Sequence, residues 1–531
     1  MEKNKNFLWL PIILIMMSQI GTTTDNVVLG ISTLSIVNTL KVSLSDVQLA
    51  NIIYAMIAGS FMIVGGFIGI IIGWKKNLQL GLILCILGEL TLGLSNNITI
   101  ITWIGRTLMG LGGSFLIPSA LGMIPAIYEG KDKIFAFGAL STAIGIGNFI
   151  PLFAGVAIDK LGFQMVFLIL AFYFAIMFIL SFKLPYIEKS KDKIKNDILG
   201  SVLMPILLFL ILIGLSKISA WGFIKPINPP FVIFGISPVL PMIILGIIIL
   251  LFFIPFEKKL EKTNGSALIP STFISTKEVR AGLLGILIMF FCFGGYGLVV
   301  NPYLQLVANF SATKLGIATV VMNLPLLFIP NIVPKLSDRY SSKKTYIFGM
   351  CLMFISTIVI ALAFRTNGIS NIFWLGFILS GIAQGIVLTI SPIIITSNIN
   401  KRDAQQSSGI QATSRNVGKS IGFALLASVM IFSMTSNFKQ ILNENTTITL
   451  KTKNVILAQK ELDFKSDKNF NSYIKDLVPS ISDSEKIELS SLNAQARKNG
   501  ARNSMFVMAF IILLSLFELK NINIVKEEKN A

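Results

Sequence analysis

The stretch Phe231-Val-Ile-Phe-Gly-Ile-Ser-Pro-Val-Leu-Pro-Met-Ile-Ile-Leu-Gly-Ile-Ile-Ile-Leu-Leu-Phe-Phe-Ile-Pro-Phe256 carries no charged residue. A helix rises 1.5 Å per residue, so about 20 apolar residues cross the ~30 Å hydrocarbon core of a bilayer. Leu199–Leu215 and Asn503–Phe517 with its flanks read the same way. Gly and Pro recur inside these runs, which membrane helices tolerate better than soluble ones do. A spanning β-barrel would instead alternate apolar and polar residues in units of about 10. The chain has 531 residues, 53% hydrophobic and 13% charged, with mean hydropathy +0.76. A soluble protein carries roughly 25% charged residues. The expected class is therefore an all-α polytopic membrane protein.

Working outward from that stretch, spans are expected at about 7–36, 48–74, 77–95, 99–127, 133–158, 163–184, 198–216, 231–256, 281–308, 313–334, 344–364, 369–397, 406–434 and 503–523. The apolar run from Phe7 outlasts a signal peptide and lacks a small-residue cleavage site, so it is expected to be the first span. Fourteen spans place both termini on one side, and the positive-inside rule tests that count. With the N-terminus cytoplasmic, Lys75, Lys76, Lys131, Lys133, the Lys183–Lys195 cluster, the Lys258–Arg280 connector, Lys335–Lys344, Lys401 and Arg402 fall inside. Lys3, Lys5 and the C-terminal lysines join them. The short outer loops hold Lys41, Lys160, Lys217, Lys225, Lys314 and Arg365. A wrong count would scramble this bias beyond the error. The net charge of +19 thus belongs to loops beside a membrane and not to a nucleic-acid surface. Residues 435–502 form a long, mixed-charge outer segment, which reads as a small helical cap or as a polar loop.

The sequence has no histidine, which removes the commonest general base and metal ligand. Cys85, Cys292 and Cys351 stand singly in apolar segments, without metal-ligand spacing. No metal or cofactor is expected. Asp25, in Gly21-Thr-Thr-Thr-Asp-Asn26, sits deep within the first span, where an ionisable group is a functional candidate by default. Glu89 in the third span and Arg106 in the fourth lie at similar distances from the turn near Asn97. Arg106 can pair with Glu89 or with Asp25, and Glu89 can also point outward.

The run Arg106-x-x-x-Gly110-x-Gly112-x-x-x-x-x-Pro118 resembles the helix 4 signature of the major facilitator superfamily. Gly145-x-Gly147-Asn-Phe-Ile-Pro151-x-x-x-Gly155 resembles its helix 5 antiporter motif. Asp25 stands where the family has a helix 1 aspartate. Pro302-Tyr-Leu-Gln305, Leu336-Ser-Asp338-Arg339 before Lys343-Lys344, and Ser408-Gly409 with Arg415-x-x-Gly418-x-x-x-Gly422 also match. With Asp197-x-x-Gly200 opening helix 7, nearly the whole chain is similar to the fourteen-helix drug:proton antiporter family. Three features depart from it. Ile70 stands where the loop after helix 2 usually carries aspartate, Met109 replaces the usual glutamine, and the later helices lack the extra acids of pumps for dicationic drugs.

The resemblance implies two six-helix bundles, 1–190 and 275–531, the second containing the extracytoplasmic loop 435–502. Residues 191–274 supply an inserted helix pair, helices 7 and 8. Cargo would bind near the midplane while the bundles rock about it. Asp25 would exchange a proton for a small amphipathic compound, with Arg106 and Glu89 beside it. Gly145, Gly147, Pro151 and Gly155 would bend an exporter's helix 5. Asp338 and Arg339 would form a gating loop, and Arg415, Gly418 and Gly422 a helix 13 motif. The implied partners are a small-molecule substrate, protons and the lipid bilayer, with an accessory periplasmic protein as one option and no nucleic acid. A monomer in a bacterial cytoplasmic membrane, and not an enzyme, is the expectation. Phe115, Phe149, Phe291, Tyr296 and Met109 are candidate lining residues. The alternatives are an importer of a small solute, which the helix 5 motif argues against, and a membrane-anchored enzyme or sensor working through residues 435–502.

Overall fold

In the computed structural model the described residues are 8–42, 44–185, 197–227, 229–264, 267–310, 312–458, 467–479 and 481–518. Part of the charged connector at 186–196, with Lys3, Lys5 and the C-terminal lysines, lies outside them. Thirteen helices among the described residues are long and apolar enough to cross a membrane. The first eight spans include α1 (Trp9–Ile31), α2 (Leu44–Ile72), α3 (Trp74–Leu94) and α4 (Arg106–Ile127). Next come α5 (Gly130–Gly147), α6 (Pro151–Ser181), α7 (Ile198–Trp221) and α8 (Val239–Asn264). The second half holds α9 (Lys277–Gly295), α10 (Pro325–Tyr340), α11 (Ser342–Ala363), α12 (Ile372–Ser397) and α13 (Lys401–Glu444). Two short helices, α14 (Leu450–Leu457) and α15 (Asp467–Leu477), precede α16 (Asp483–Glu518).

The fifth expected span, 133–158, exists in two pieces. α5 ends at Gly147 and α6 restarts at Pro151, running to a second break at Gly162, whose φ is +79°. Proline supplies no amide to a helix interior but suits its first turn, so Asn148–Ile150 becomes a joint. The tenth span is likewise split, between Ala312–Asn323 and Pro325. Two details depart from a purely helical chain: an antiparallel bridge between Ile233 and Ile236, and Phe364–Arg365 paired antiparallel with Gly368–Ile369 in the turn before α12.

In the first half α1 packs on α4, α5 and α6, while α3 lies on α4 and α6. In the second, α9 packs on α12 and α13, and α11 on α12 and α16. The halves meet along α13 with α2 and α4, and along α5 with α10 and α12. The inserted pair α7–α8 is no bystander, because α7 touches both α2 and α13. Asp197 opens α7 by accepting the Gly200 amide at 2.8 Å, an N-cap that accounts for the Asp-x-x-Gly spacing.

The outer segment is a folded cap. α13 runs ten residues past its expected end and α16 starts well before the last span, so both helices project beyond the bundle. Around them Phe438, Leu442, Ile456, Phe470, Ile474 and Leu489 form a separate buried cluster with α14 and α15.

Candidate functional site

Asp25 and Arg106 come together. Nη1 of Arg106 lies 2.7 Å from Oδ1 of Asp25, and both side chains are fully buried. Arg106 follows a π-helical turn, Ile101–Gly105, that re-aims the start of α4. Its Nε donates to the Ala50 carbonyl at 3.4 Å, and its guanidinium sits 4.6 Å from the ring centre of Tyr54. Glu89 is also fully buried and does not point outward. It makes no ion pair with Arg106, and neither of its carboxyl oxygens has a hydrogen-bond partner among the described residues. Only Asp25 engages the guanidinium, whose second terminal nitrogen has no hydrogen-bond partner among the described residues.

Between the halves lies a cavity of about 700 Å³. Gln19, Thr22, Thr23 and Asn26 from α1 line it, with Tyr54 and Met62 from α2 and Phe290 and Phe293 from α9. Gln384 from α12 and Arg415, Lys419 and Phe423 from α13 add to the polar and aromatic lining. Leu212 of the inserted pair also reaches it. Asp25 is not among the lining residues; Tyr54 is. The sequence expects cargo and proton to compete for the Asp25 carboxyl; in the structure it is Tyr54, the residue beside Arg106, that borders the cavity. The expected lining residues also shift. Met109 and Phe291 are buried in the core, and Tyr296 is buried, its hydroxyl bonded to Thr357 and Ser380. Phe115 and Phe149 do not line the cavity. Tyr54, Phe290, Phe293 and Phe423 take their place.

Gly418 and Gly422 do not line the cavity. A Cβ at either would collide with the carbonyl oxygens of Leu287 and Phe291 on α9. Their role here is to seat α13 flat on α9, which turns Arg415 and Lys419 toward the cavity. Arg415 Nη1 donates to Gln19 at 3.3 Å, across the two halves. Of the helix 5 motif, Gly145 faces Leu326 of α10 and Gly147 faces Thr23 of α1, while Gly155 has ample room. Pro151 opens α6. The motif thus marks a joint between two helices and not one bent helix.

One end of the bundle is tied across the halves. Asp338 pairs with Lys131 at 3.5 Å and Lys401 with Glu129 at 2.9 Å, all four side chains exposed. Arg339 lies over the ring of its neighbour Tyr340. Pairs this exposed contribute about 0–1 kcal/mol each. A drier tie sits beside them: Trp74 Nε1 donates to Gln405 Oε1 at 2.8 Å, with Trp74 buried. The backbones of Gly66 and Gly409 also meet there closely. Ile70, where the resemblance would place an aspartate, is buried in the same core as Trp74. This is the end that the charge bias assigns to the cytoplasm.

Lys419, Tyr54, Gln405 and Trp74 escaped the sequence reading. Lys419 alone left a legible signal, a lysine four residues after Arg415 in an apolar span.

The family model of the Major Facilitator Superfamily matches residues 12–423. The Quinolone resistance protein NorB of Staphylococcus aureus is 26% identical over 75% of this chain and 82% of its own. The Tetracenomycin C resistance and export protein of Streptomyces glaucescens is 24% identical, covering 80% of this chain and 76% of that protein. Among solved structures, the human organic anion transporter MFSD10 superposes with a TM-score of 0.60, covering 98% of this chain and 100% of that one. At 12% identity that likeness concerns the fold.

Proposed function

The chain belongs to the Major Facilitator Superfamily, and on that premise we propose that it exports a small amphipathic organic compound in exchange for protons. The observation that carries this reading is the Asp25–Arg106 pair, buried at 2.7 Å beside the cavity. Withdrawing two charges from water costs several kcal/mol per ion before their attraction is counted, so a buried pair is weak evidence of stabilisation. Ionisable groups at this depth mark ion pathways more often than they mark scaffolding.

Charge counting gives the coupling step. Asp25 and Arg106 balance one another's charge while both are ionised, so a proton that joins Asp25 leaves the guanidinium without its counter-charge. A proton arriving from the outer side loosens Asp25 from Arg106. Tyr54 lies over that guanidinium and lines the cavity, so the change reaches the cargo through its ring. Asp338, Arg339 and the Trp74–Gln405 contact then serve as the cytoplasmic gate. Gly145, Gly147 and Pro151 give the α5–α6 joint that lets the outer end move. The names of the relatives, resistance and export proteins, support the outward direction. On this reading both termini face the cytoplasm of a bacterial cell.

The test is dye accumulation in everted vesicles from a pump-deficient bacterium, with and without a proton uncoupler. Uptake should collapse on uncoupling. Asp25→Asn should reach the membrane in normal amount and show no gradient-driven uptake. Wild-type uptake by that variant, or movement of dye in the opposite sense, defeats the proposal.

A further inference from the structure

The cavity's charge is one-sided. Its lining includes Arg415 and Lys419 and no aspartate or glutamate. The two cations stand four residues apart on α13, hence on one face of that helix. Neither has an ion-pair partner among the described residues. Arg415 makes one hydrogen bond, to Gln19, and its Nε has none. Lys419 is exposed although it lies well inside the bundle, so the surface it presents is the cavity's own. Its ammonium sits 5.9 Å and 5.8 Å from the ring centres of Phe293 and Phe423, and the Arg415 guanidinium 5.6 Å from that of Phe290. Asp25 is already engaged with Arg106 and is fully buried, outside the cavity's lining.

Two like charges held in a largely apolar cavity repel one another and lack compensation. A cationic cargo would add a third positive charge. An anionic one relieves the repulsion and gains charge-assisted hydrogen bonds from both groups. Resting on the reading of this cavity as the cargo site, we infer that the transported compound is an aromatic organic anion. Its acid group is held between Lys419 and Arg415, and its ring system lies among Phe290, Phe293 and Phe423. Gln19, joined to Arg415 from the other half, reports occupancy across the bundle interface. The side chains that exclude cations are the same ones that bind, so selectivity against cations needs no separate element.

Fluorescein, an aromatic carboxylate, and ethidium, an aromatic cation, separate the possibilities. Fluorescence polarisation on the purified full-length protein in detergent measures binding without any proton gradient. Wild type should bind fluorescein saturably and ethidium at least tenfold more weakly. Lys419→Gln and Arg415→Gln should each weaken fluorescein roughly ten- to a hundredfold, the span of a lost charged hydrogen bond. Lys419→Arg should restore most of the affinity, and Lys419→Glu should reverse the preference toward ethidium. Melting temperatures confirm that each variant is folded. Absent fluorescein binding, ethidium binding as tight as fluorescein's, or unchanged fluorescein affinity in both glutamine variants overturns the inference. Gradient-driven export of ethidium without fluorescein would leave the exporter reading standing and sink only this one. Anion binding without gradient-driven transport does the reverse.

Discussion

Trp74 donates its indole N–H to Gln405 at 2.8 Å, joining the start of α3 to the start of α13 across the two halves. The position four residues earlier, Ile70, offers only an apolar side chain to the core that holds Trp74. A neutral, sheltered hydrogen bond therefore stands where the resemblance would place a charged latch. Unlike the exposed Lys131–Asp338 and Lys401–Glu129 pairs, it is little screened by salt.

Removing that donor should loosen this end of the bundle. Trp74→Phe keeps most of the packing and deletes the bond, worth about 1 kcal/mol net. Gln405→Ala should produce a similar shift, and the double variant little more, because both delete one interaction. The readout is labelling of Ser408→Cys from the cytoplasmic side in a background without Cys85, Cys292 and Cys351. Labelling that stays at the wild-type rate in both single variants defeats the gate assignment. High salt should matter less than either substitution.

The Asp25–Arg106 pair separates stability from transport. Arg106→Met leaves a buried carboxylate without its partner, and breaking a buried pair costs about 3–5 kcal/mol. Adding Asp25→Asn should recover much of the melting temperature while gradient-driven transport stays absent. A double variant as unstable as Arg106→Met, or one that transports normally, contradicts the assignment of this pair to coupling.

The spans were legible because a run of about 20 apolar residues is a one-dimensional signal, and the charge bias kept their number honest. The fifth span escaped as a single helix only in its middle, where Pro151 forces the restart. Depth was legible too: Asp25, Glu89 and Arg106 were found from their distance along each span. Their pairing was not, since it depends on how α1, α3 and α4 are rotated about their axes. The same limit explains the aromatics. Phe291 and Phe290 are neighbours in the chain, yet about 100° apart around α9, and only Phe290 faces the cavity. Lys419 lies within an apolar span, and that it faces the cavity depends on the rotation of α13 about its axis. Residues 435–502 offered helix-like composition and no more, because a cap of this size is decided by packing against the extensions of α13 and α16.

The cap carries a pH-dependent clasp. Glu485 accepts the Thr449 amide at 2.9 Å, and Ser482 donates to its other oxygen. The Thr449 amide, ahead of Ser482, holds this carboxyl below its usual range. A carboxylate depressed in the folded state adds stability above its ordinary value of about 4.3 and loses it as pH falls through the lower folded value. Hydrogen exchange at Thr449, corrected for the intrinsic rate, should stay slow at neutral pH and quicken in acid. Glu485→Gln should exchange fast at every pH. Equal protection in that variant at pH 7 shows that the clasp contributes nothing.

The motif glycines divide by what surrounds them, and that division can be measured. At Gly418 and Gly422 an added methyl meets backbone carbonyls of α9, which cannot turn aside as a side chain can. Forcing a carbon into such a contact typically costs about 1–3 kcal/mol and displaces the helix. At Gly155 the nearest atom to an added Cβ is 4.0 Å away, on Ile31. There alanine should gain up to roughly 1 kcal/mol from helix propensity. Gly418→Ala and Gly422→Ala should therefore lower the melting temperature and, by rotating α13, weaken whatever Arg415 and Lys419 hold. Gly155→Ala should melt at or above wild type. Should all three behave alike, the glycines act through a shared property such as helix flexibility, and the seating of α13 on α9 is not what orients the cavity's cations.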